Sequence, residues 1–255
     1  MNLRYITCSD PREHNNIQSI IKLARMPYAE IAVQCHPSKM TPGMPRNVWF
    51  TELLRESMQL SRPINLAIHI NNEWANDICV KGKIPETILE WINLERKNKP
   101  LIKRIQINMP PQTAIDINPN YMAAIISYEF PNHEFIFQYN KDTKEAIEKL
   151  HKTRVKFSLL FDSSNGRGKS PENWEKPIYE THPMGYSGGI SPENVIGNLK
   201  EINKLVPNET KIWIDAEGKL KSANLFDDKT YFDTDLASVY VKRANMWQKQ
   251  NQNQR

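Results

Sequence analysis

Residues 183–195 read PMGYSGGISPENV. A short strand-like run ends on two adjacent glycines, and a helix start follows at once. Ser191 precedes Pro192, the favoured first helical residue, and acidic Glu193 comes next, so Ser191 reads as an N-cap. Strand, tight turn and helix in so few residues make one β–α unit, and the rest of the chain repeats it. Strand-like runs occur at 3–8, 30–35, 65–70, 103–108, 134–139, 156–161, 183–188 and 211–216, each short and rich in β-branched or aromatic residues. Stretches with helical spacing lie between them: Ile17, Ile20, Ile21 and Ala24; Ile84, Ile88, Leu89 and Ile92; Ala146, Ile147 and Leu150; Val195, Leu199, Ile202 and Leu205; and finally Leu236, Val239 and Tyr240. Eight such units predict an α/β fold, a single (β/α)8 barrel of the TIM type over residues 1–246. A doubly wound open sheet is the competitor; the count of eight and the lack of a GxGxxG fingerprint after the first strand favour the barrel. The polar run 247–255 reads as a disordered tail.

Composition narrows the class. The chain has 255 residues, 39% of them hydrophobic, and a mean hydropathy of −0.63. No run approaches a membrane span, and MNLRYITCSDPRE lacks the basic-then-apolar pattern of a signal peptide. Cys8, Cys35 and Cys79 are too few and too scattered for a disulfide framework, which fits a reducing, cytoplasmic setting. Net charge is +5, compatible with phosphorylated substrates or with nucleic acid, but Lys and Arg are interspersed with Asp and Glu. The tryptophans lack basic neighbours in the pattern that stacks on bases, so the sequence reads against nucleic acid as a partner. It leaves the oligomeric state open.

In a parallel barrel, chemistry gathers at the C-terminal ends of strands. There the sequence places Cys8, Ser9 and Asp10; His36; His69 and Asn71; Gln106 and Asn108; Gln138 and Asn140; Asp162; Ser187, Gly188 and Gly189; and Asp215 with Glu217. Gln106, Asn108, Gln138 and Asn140 alternate so as to share one strand face, where buried amides need partners or a ligand. Gly188 and Gly189 expose main-chain N–H groups beside a helix start, a natural seat for an anion such as phosphate. In LLFDSSNGRGKSPENW, 159–174, a strand ends on Asp162, a candidate general acid or base, and a flexible loop offers Arg167 to an anionic substrate.

These two stretches, LLFD with its NGRG loop and SGGISPENV, resemble phosphoribosylanthranilate isomerase of tryptophan biosynthesis. The similarity covers about the last third of the chain. It implies an Amadori-type aldose–ketose isomerisation of a phosphorylated sugar, with no cofactor or metal. It also implies a cysteine at the end of strand one as general base, matched by Cys8, and an aspartate at the end of strand six as general acid, matched by Asp162. The chain departs from that pattern where its first strand reads Ile-Thr-Cys-Ser-Asp and its last ends in WIDAEG, which brings Asp215 and Glu217 to the mouth. It is also similar, over more of its length, to uncharacterised isomerase-like barrels with an LFD-x-S-x-GRG loop and a final WID-x-EG strand. Two alternatives stay open. One is carboxylate chemistry on a glycosidic bond, hydrolase or lyase, pairing Asp162 with Glu217 or Asp215. The other is non-catalytic binding of a sugar or nucleotide. A metal site using His36, His69 and Asp215 is weaker, for no HxH or HExxH spacing occurs.

Overall fold

The computed structural model describes residues 1–162, 170–223 and 229–253. Arg167 of the NGRG loop lies outside the described residues. Eight parallel strands are present: β1 (Asn2–Ser9), β2 (Ala29–Cys35), β3 (Leu66–Ile70), β4 (Ile102–Ile107), β5 (Glu134–Tyr139), β6 (Ser158–Phe161), β7 (Met184–Ser187) and β8 (Lys211–Ala216). They close into a barrel in the order β1-β8-β7-β6-β5-β4-β3-β2, so each strand lies beside its neighbour in sequence. This is the (β/α)8 barrel. Among the described residues no helix is long and apolar enough to cross a membrane.

The chain packs as two units, Met1–Ala32 with Phe161–Arg255, and Val33–Leu160. In the first, β1 runs in register with β8 from Asn2↔Lys211 to Cys8↔Ala216, with a shift between Leu3 and Tyr5. β8 continues to β7 through Ile214↔Tyr186 and Asp215↔Ser187. Gly185 precedes that register, and its missing side chain is what lets the Trp213 indole lie flat against the strand.

The last helix, Thr234–Asn253, runs past the boundary the sequence suggests. Residues 247–253 are helical rather than a disordered tail. Trp247 and Gln248 are buried; the Gln248 Oε1 accepts from the Leu3 N–H at 2.9 Å, and the Asn251 Nδ2 donates to the Met1 carbonyl. Amides that look low in complexity here tie the C-terminal helix to the first strand. The buried stripe of this helix is also rotated from the predicted one: it is Ala237, Tyr240, Val241 and Ala244, while Val239 is exposed.

In the second unit, β3 and β4 pair from Leu66↔Ile102 to Ile70↔Ile107, and β4 and β5 from Arg104↔Glu134 to Ile107↔Phe137. The interior is not purely apolar. Arg104, almost wholly buried, meets Glu134 at 3.2 Å, and Ser158 Oγ donates to the other oxygen of Glu134 at 2.6 Å. Helices Pro37–Met40 and Pro45–Gln59 fill the stretch after β2 where the sequence shows no clean periodicity. Polar residues Arg46, Asn47 and Ser57 of the second are buried along with Trp49, Phe50 and Leu53.

Candidate functional site

In the first unit the C-terminal ends of β1, β7 and β8 carry the chemistry. Thr7 and Ser9 share one face of β1, and both engage carboxylates of neighbouring strands. Thr7 Oγ1 donates to Glu30 at 2.8 Å, and Ser9 Oγ donates to Asp215 Oδ1 at 2.5 Å. Asp215 sits beside Ser187 in the β8–β7 register, and Ser187 Oγ donates to the Phe161 carbonyl, one residue before Asp162. Asp162 and Asp215 are both buried. One unit thus presents carboxylate, glycine turn and carboxylate on three consecutive strand ends.

Cys8 lies between Thr7 and Ser9 and so faces the other side of β1. It is fully buried. Burial pushes its thiol well up, and the carboxylates of Asp215 and Glu30 push the same way. Tyr240 of the last helix is near enough that Cys8 adds to the upward push burial gives its hydroxyl. The helix-covered face of β1 is therefore where Cys8 belongs. A buried thiol held from ionising is a poor general base, which counts against the role that the family resemblance implies for it.

The Gly188–Gly189 turn is built as the sequence suggests, with φ of 115° and 59°, conformations that favour glycine. Asn194 clamps it: its Nδ2 donates to the Gly189 carbonyl at 2.9 Å, and its Oδ1 accepts from the Ser191 N–H at 2.8 Å. Ser191 Oγ accepts from the N–H groups of Glu193 and Asn194, as an N-cap does, although the regular helix begins one turn later at Val195.

Beside these stands a charged knot that sequence reasoning did not assemble. Asp10, at a φ of 71°, accepts from Arg12 Nε at 2.9 Å and Lys221 Nζ at 2.8 Å; Lys221 also donates to Glu217 at 3.0 Å. Glu217 is therefore occupied by a lysine rather than poised as a lone acid. Burial works to raise the Asp10 carboxyl, but hydrogen bonds from Arg12 and Lys221, with their charges, outweigh it and hold it below its ordinary value of 3.8. Ionised Asp10 then favours the folded state. That contribution is complete above about pH 4 and fades as pH falls through the lowered value. Asp10→Asn keeps a residue that tolerates positive φ but leaves two cations facing a neutral amide. It is expected to cost about 3 kcal/mol at neutral pH and to flatten the acid limb of stability, measured by urea unfolding from neutral into acid. An unchanged acid limb would show that the knot does not stabilise the fold.

In the second unit, four amides and an imidazole form one line. Gln106 Nε2 donates to Asn108 Oδ1 (2.9 Å), Asn108 Nδ2 to Asn71 Oδ1 (2.9 Å), Asn71 Nδ2 to Gln34 Oε1 (2.8 Å), and Gln34 Nε2 meets His69 Nδ1 at 3.2 Å. Asn71 Nδ2 also meets the His69 carbonyl at 2.9 Å. A carbonyl only accepts, so that atom is the amide nitrogen, and the orientation of Gln34 follows. Gln34 donates to Nδ1, and the ring proton of neutral His69 sits on Nε2. The predicted sharing of a face by Gln106 and Asn108 is seen in their hydrogen bond. Gln138 is half-buried, and Asn140 does something else: its Oδ1 accepts from the N–H groups of Asp142 and Thr143, making an Asx turn into the next helix. His36 lies at the start of the Pro37–Met40 helix, with Nδ1 at 3.2 Å from Asn72. Among the described residues no group of three or more His, Cys, Asp or Glu is arranged to hold a metal.

No family model matches the chain. No curated protein matches it. Solved structures do. The spore coat polysaccharide biosynthesis protein SpsE of Bacillus subtilis is similar at 12% identity and a TM-score of 0.60, over 98% of this chain and 70% of that one. TrpF from Jonesia denitrificans is similar at 13% identity and a TM-score of 0.49, over 94% and 96% of the two chains. Phosphoribosyl anthranilate isomerase from Thermotoga maritima is similar at 14% and 0.48, over 94% and 99%. The isomerase barrel is among the folds this chain is similar to. At such identities the likeness speaks for the fold alone, and the chemistry rests on the residues.

Proposed function

We propose that the chain is an acid–base isomerase of a phosphorylated sugar, with Asp162 and Asp215 at the reacting centre and the Ser187-Gly188-Gly189 turn as the seat of the phosphate. The observation that carries this reading is the order of the three strand ends: a buried carboxylate after β6, a glycine turn after β7 and a buried carboxylate on β8. The main-chain N–H groups of Gly188 and Gly189 are the donors assigned to the phosphate, with the following helix start adding its positive end. In the isomerisation, one carboxylate removes the proton from C2 of the open-chain aldose, and the other, protonated, delivers its proton to the C1 oxygen or nitrogen. The enediol or enaminol then loses a proton from the C2 hydroxyl and gains one at C1. The ketose results, and the proton count of the enzyme is restored. Asp215 takes the base role that the resemblance gives to Cys8, and Ser9 orients it.

The test is exchange of the C2 hydrogen in heavy water, with thermal stabilisation by a panel of sugar phosphates, the matched free sugars, inorganic phosphate and short oligonucleotides. Sugar phosphates should stabilise selectively, and Gly189→Asn, which tolerates the turn but fills the seat, should abolish the effect. Asp162→Asn and Asp215→Asn should each slow exchange by about 100-fold or more while binding persists. Cys8→Ala should leave it nearly unchanged. Stabilisation by free sugars alone, or full exchange in either aspartate variant, would overturn the reading.

A further inference from the structure

The second unit holds a groove of about 560 Å³ that the strand-end chemistry does not use. That volume suits a small molecule. One wall is the helix Pro119–Ala124 and the wide π-helical turn Ile125–Glu129 that follows; the other is the end of the helix Lys144–His151 and the turn after it. The turn leads through Val155 into the start of β6, so the groove opens at the end of the strands remote from Gln106, Asn108 and Asn71.

Three features of the groove point to one kind of ligand. Lys149, Lys152 and Arg154 line it, and no carboxylate does. Lys149 Nζ is drawn across to the Ile115 carbonyl at 3.1 Å, and among the described residues Lys152 and Arg154 make no ion pair. Three cations within six residues repel one another, and an anion relieves that repulsion. Arg154 is also held at a φ of 61°, a conformation that an arginine adopts at a cost and that a glycine adopts freely. Its N–H bonds the His151 carbonyl at 3.0 Å, and Thr153 Oγ1 bonds the Leu150 carbonyl at 2.7 Å, so the turn fixes the strained residue in place. Opposite, Tyr128 is 84% exposed, the most exposed large apolar side chain among the described residues, and it stands on the π-helical turn, a rare geometry frequent at functional sites. A tyrosine ring bare on one wall offers a stacking face; the cations on the other offer charge-assisted donors to phosphate.

We propose that this groove binds a nucleoside phosphate, with the base stacked on Tyr128 and the phosphate held by Lys149, Lys152 and Arg154. The site is independent of the isomerase reading and shares no residue with it.

Titration calorimetry with adenosine and guanosine monophosphates and diphosphates, inorganic phosphate, and a short single-stranded oligonucleotide tests it on the full chain. Nucleotides should bind with saturation at millimolar concentration or below. Lys152→Glu and Arg154→Gly should each weaken them by about tenfold or more. Arg154→Gly should also hold or raise Tm, since it relieves the backbone, so its loss of binding cannot be ascribed to unfolding. Tyr128→Ala should weaken nucleotides but leave inorganic phosphate as it was. Binding of the oligonucleotide without the mononucleotides would replace the proposal with a nucleic-acid surface. Nucleotide binding undiminished in Lys152→Glu and Arg154→Gly, or absent altogether, would overturn it.

Discussion

Gly185→Ala is expected to destabilise the protein by about 3 kcal/mol or more, at the upper end of what overpacking a core costs. An added Cβ would stand 2.1 Å from Trp213 Cε2 and 2.4 Å from Cδ2 and Nε1, far inside any contact distance. The obstacle is a rigid ring rather than the end of a flexible chain. The indole is buried, Tyr5 faces it in the β1–β8 register, and the Arg4 guanidinium lies 5.7 Å from the ring. To admit the methyl group, either the indole leaves its place or β7 shifts against β8, and the strand pairing that carries Ser187 and Asp215 shifts with it. Guanidinium unfolding reads the loss as a lower midpoint at constant slope. Pairing the change with Trp213→Leu should recover part of the stability, because the smaller side chain opens the space the methyl needs. A Gly185→Ala protein as stable as the parent would mean that the ring does not lie on that glycine.

The second large effect is expected at Glu134. Replacing it with Gln leaves Ser158 an oxygen to bond, but it removes the charge facing the almost fully buried Arg104. Breaking one partner of such a pair leaves a cation in a medium that solvates it badly, and a loss of about 3–5 kcal/mol follows. Removing both charges should be far milder, since two apolar side chains of similar volume avoid the cost of desolvating ions. The comparison of Glu134→Gln with the double change Arg104→Met, Glu134→Leu therefore separates a pair that stabilises from one that is merely balanced. If the single change is nearly neutral, water reaches the guanidinium and the pair is not truly buried.

How much of this was legible beforehand differs from element to element. All eight strands lie where short β-branched and aromatic runs predict them, because each run is bounded by polar or turn-forming residues and repeats at a spacing that leaves room for a crossover. Helix Pro45–Gln59 escapes the pattern because its buried face includes Arg46, Asn47 and Ser57, which break the apolar period, and Pro37–Met40 is a single turn with only Met40 buried. The terminal helix runs past its predicted end because its buried face includes Asn245 and Gln248, amides that count as polar in any pattern yet serve as tethers here. At the site, Gln106 and Asn108 could be paired from the two-residue period alone. The same period applied to β1 sets Thr7 and Ser9 against Cys8, a signal that points away from the role the resemblance implies for the thiol. The Asp10–Lys221 contact joins residues 211 positions apart. Only the closure of β8 onto β1 brings them together, and that closure is implied by eight strands without saying which side chains will meet.

The line from Gln106 to His69 has a direction as well as a length. Asn108, Asn71 and Gln34 each accept on one side and donate on the other, and Gln106 donates at the head, so the four group dipoles add head to tail as peptide groups do along a helix. The positive pole falls at the imidazole and the negative pole at the far oxygen of Gln106. A row of side chains without formal charge thus behaves as a small fixed magnet does for a compass needle: a dipolar molecule laid alongside meets two unequal ends. Which end is which is decided by the carbonyls of His69 and Cys35 that orient Asn71.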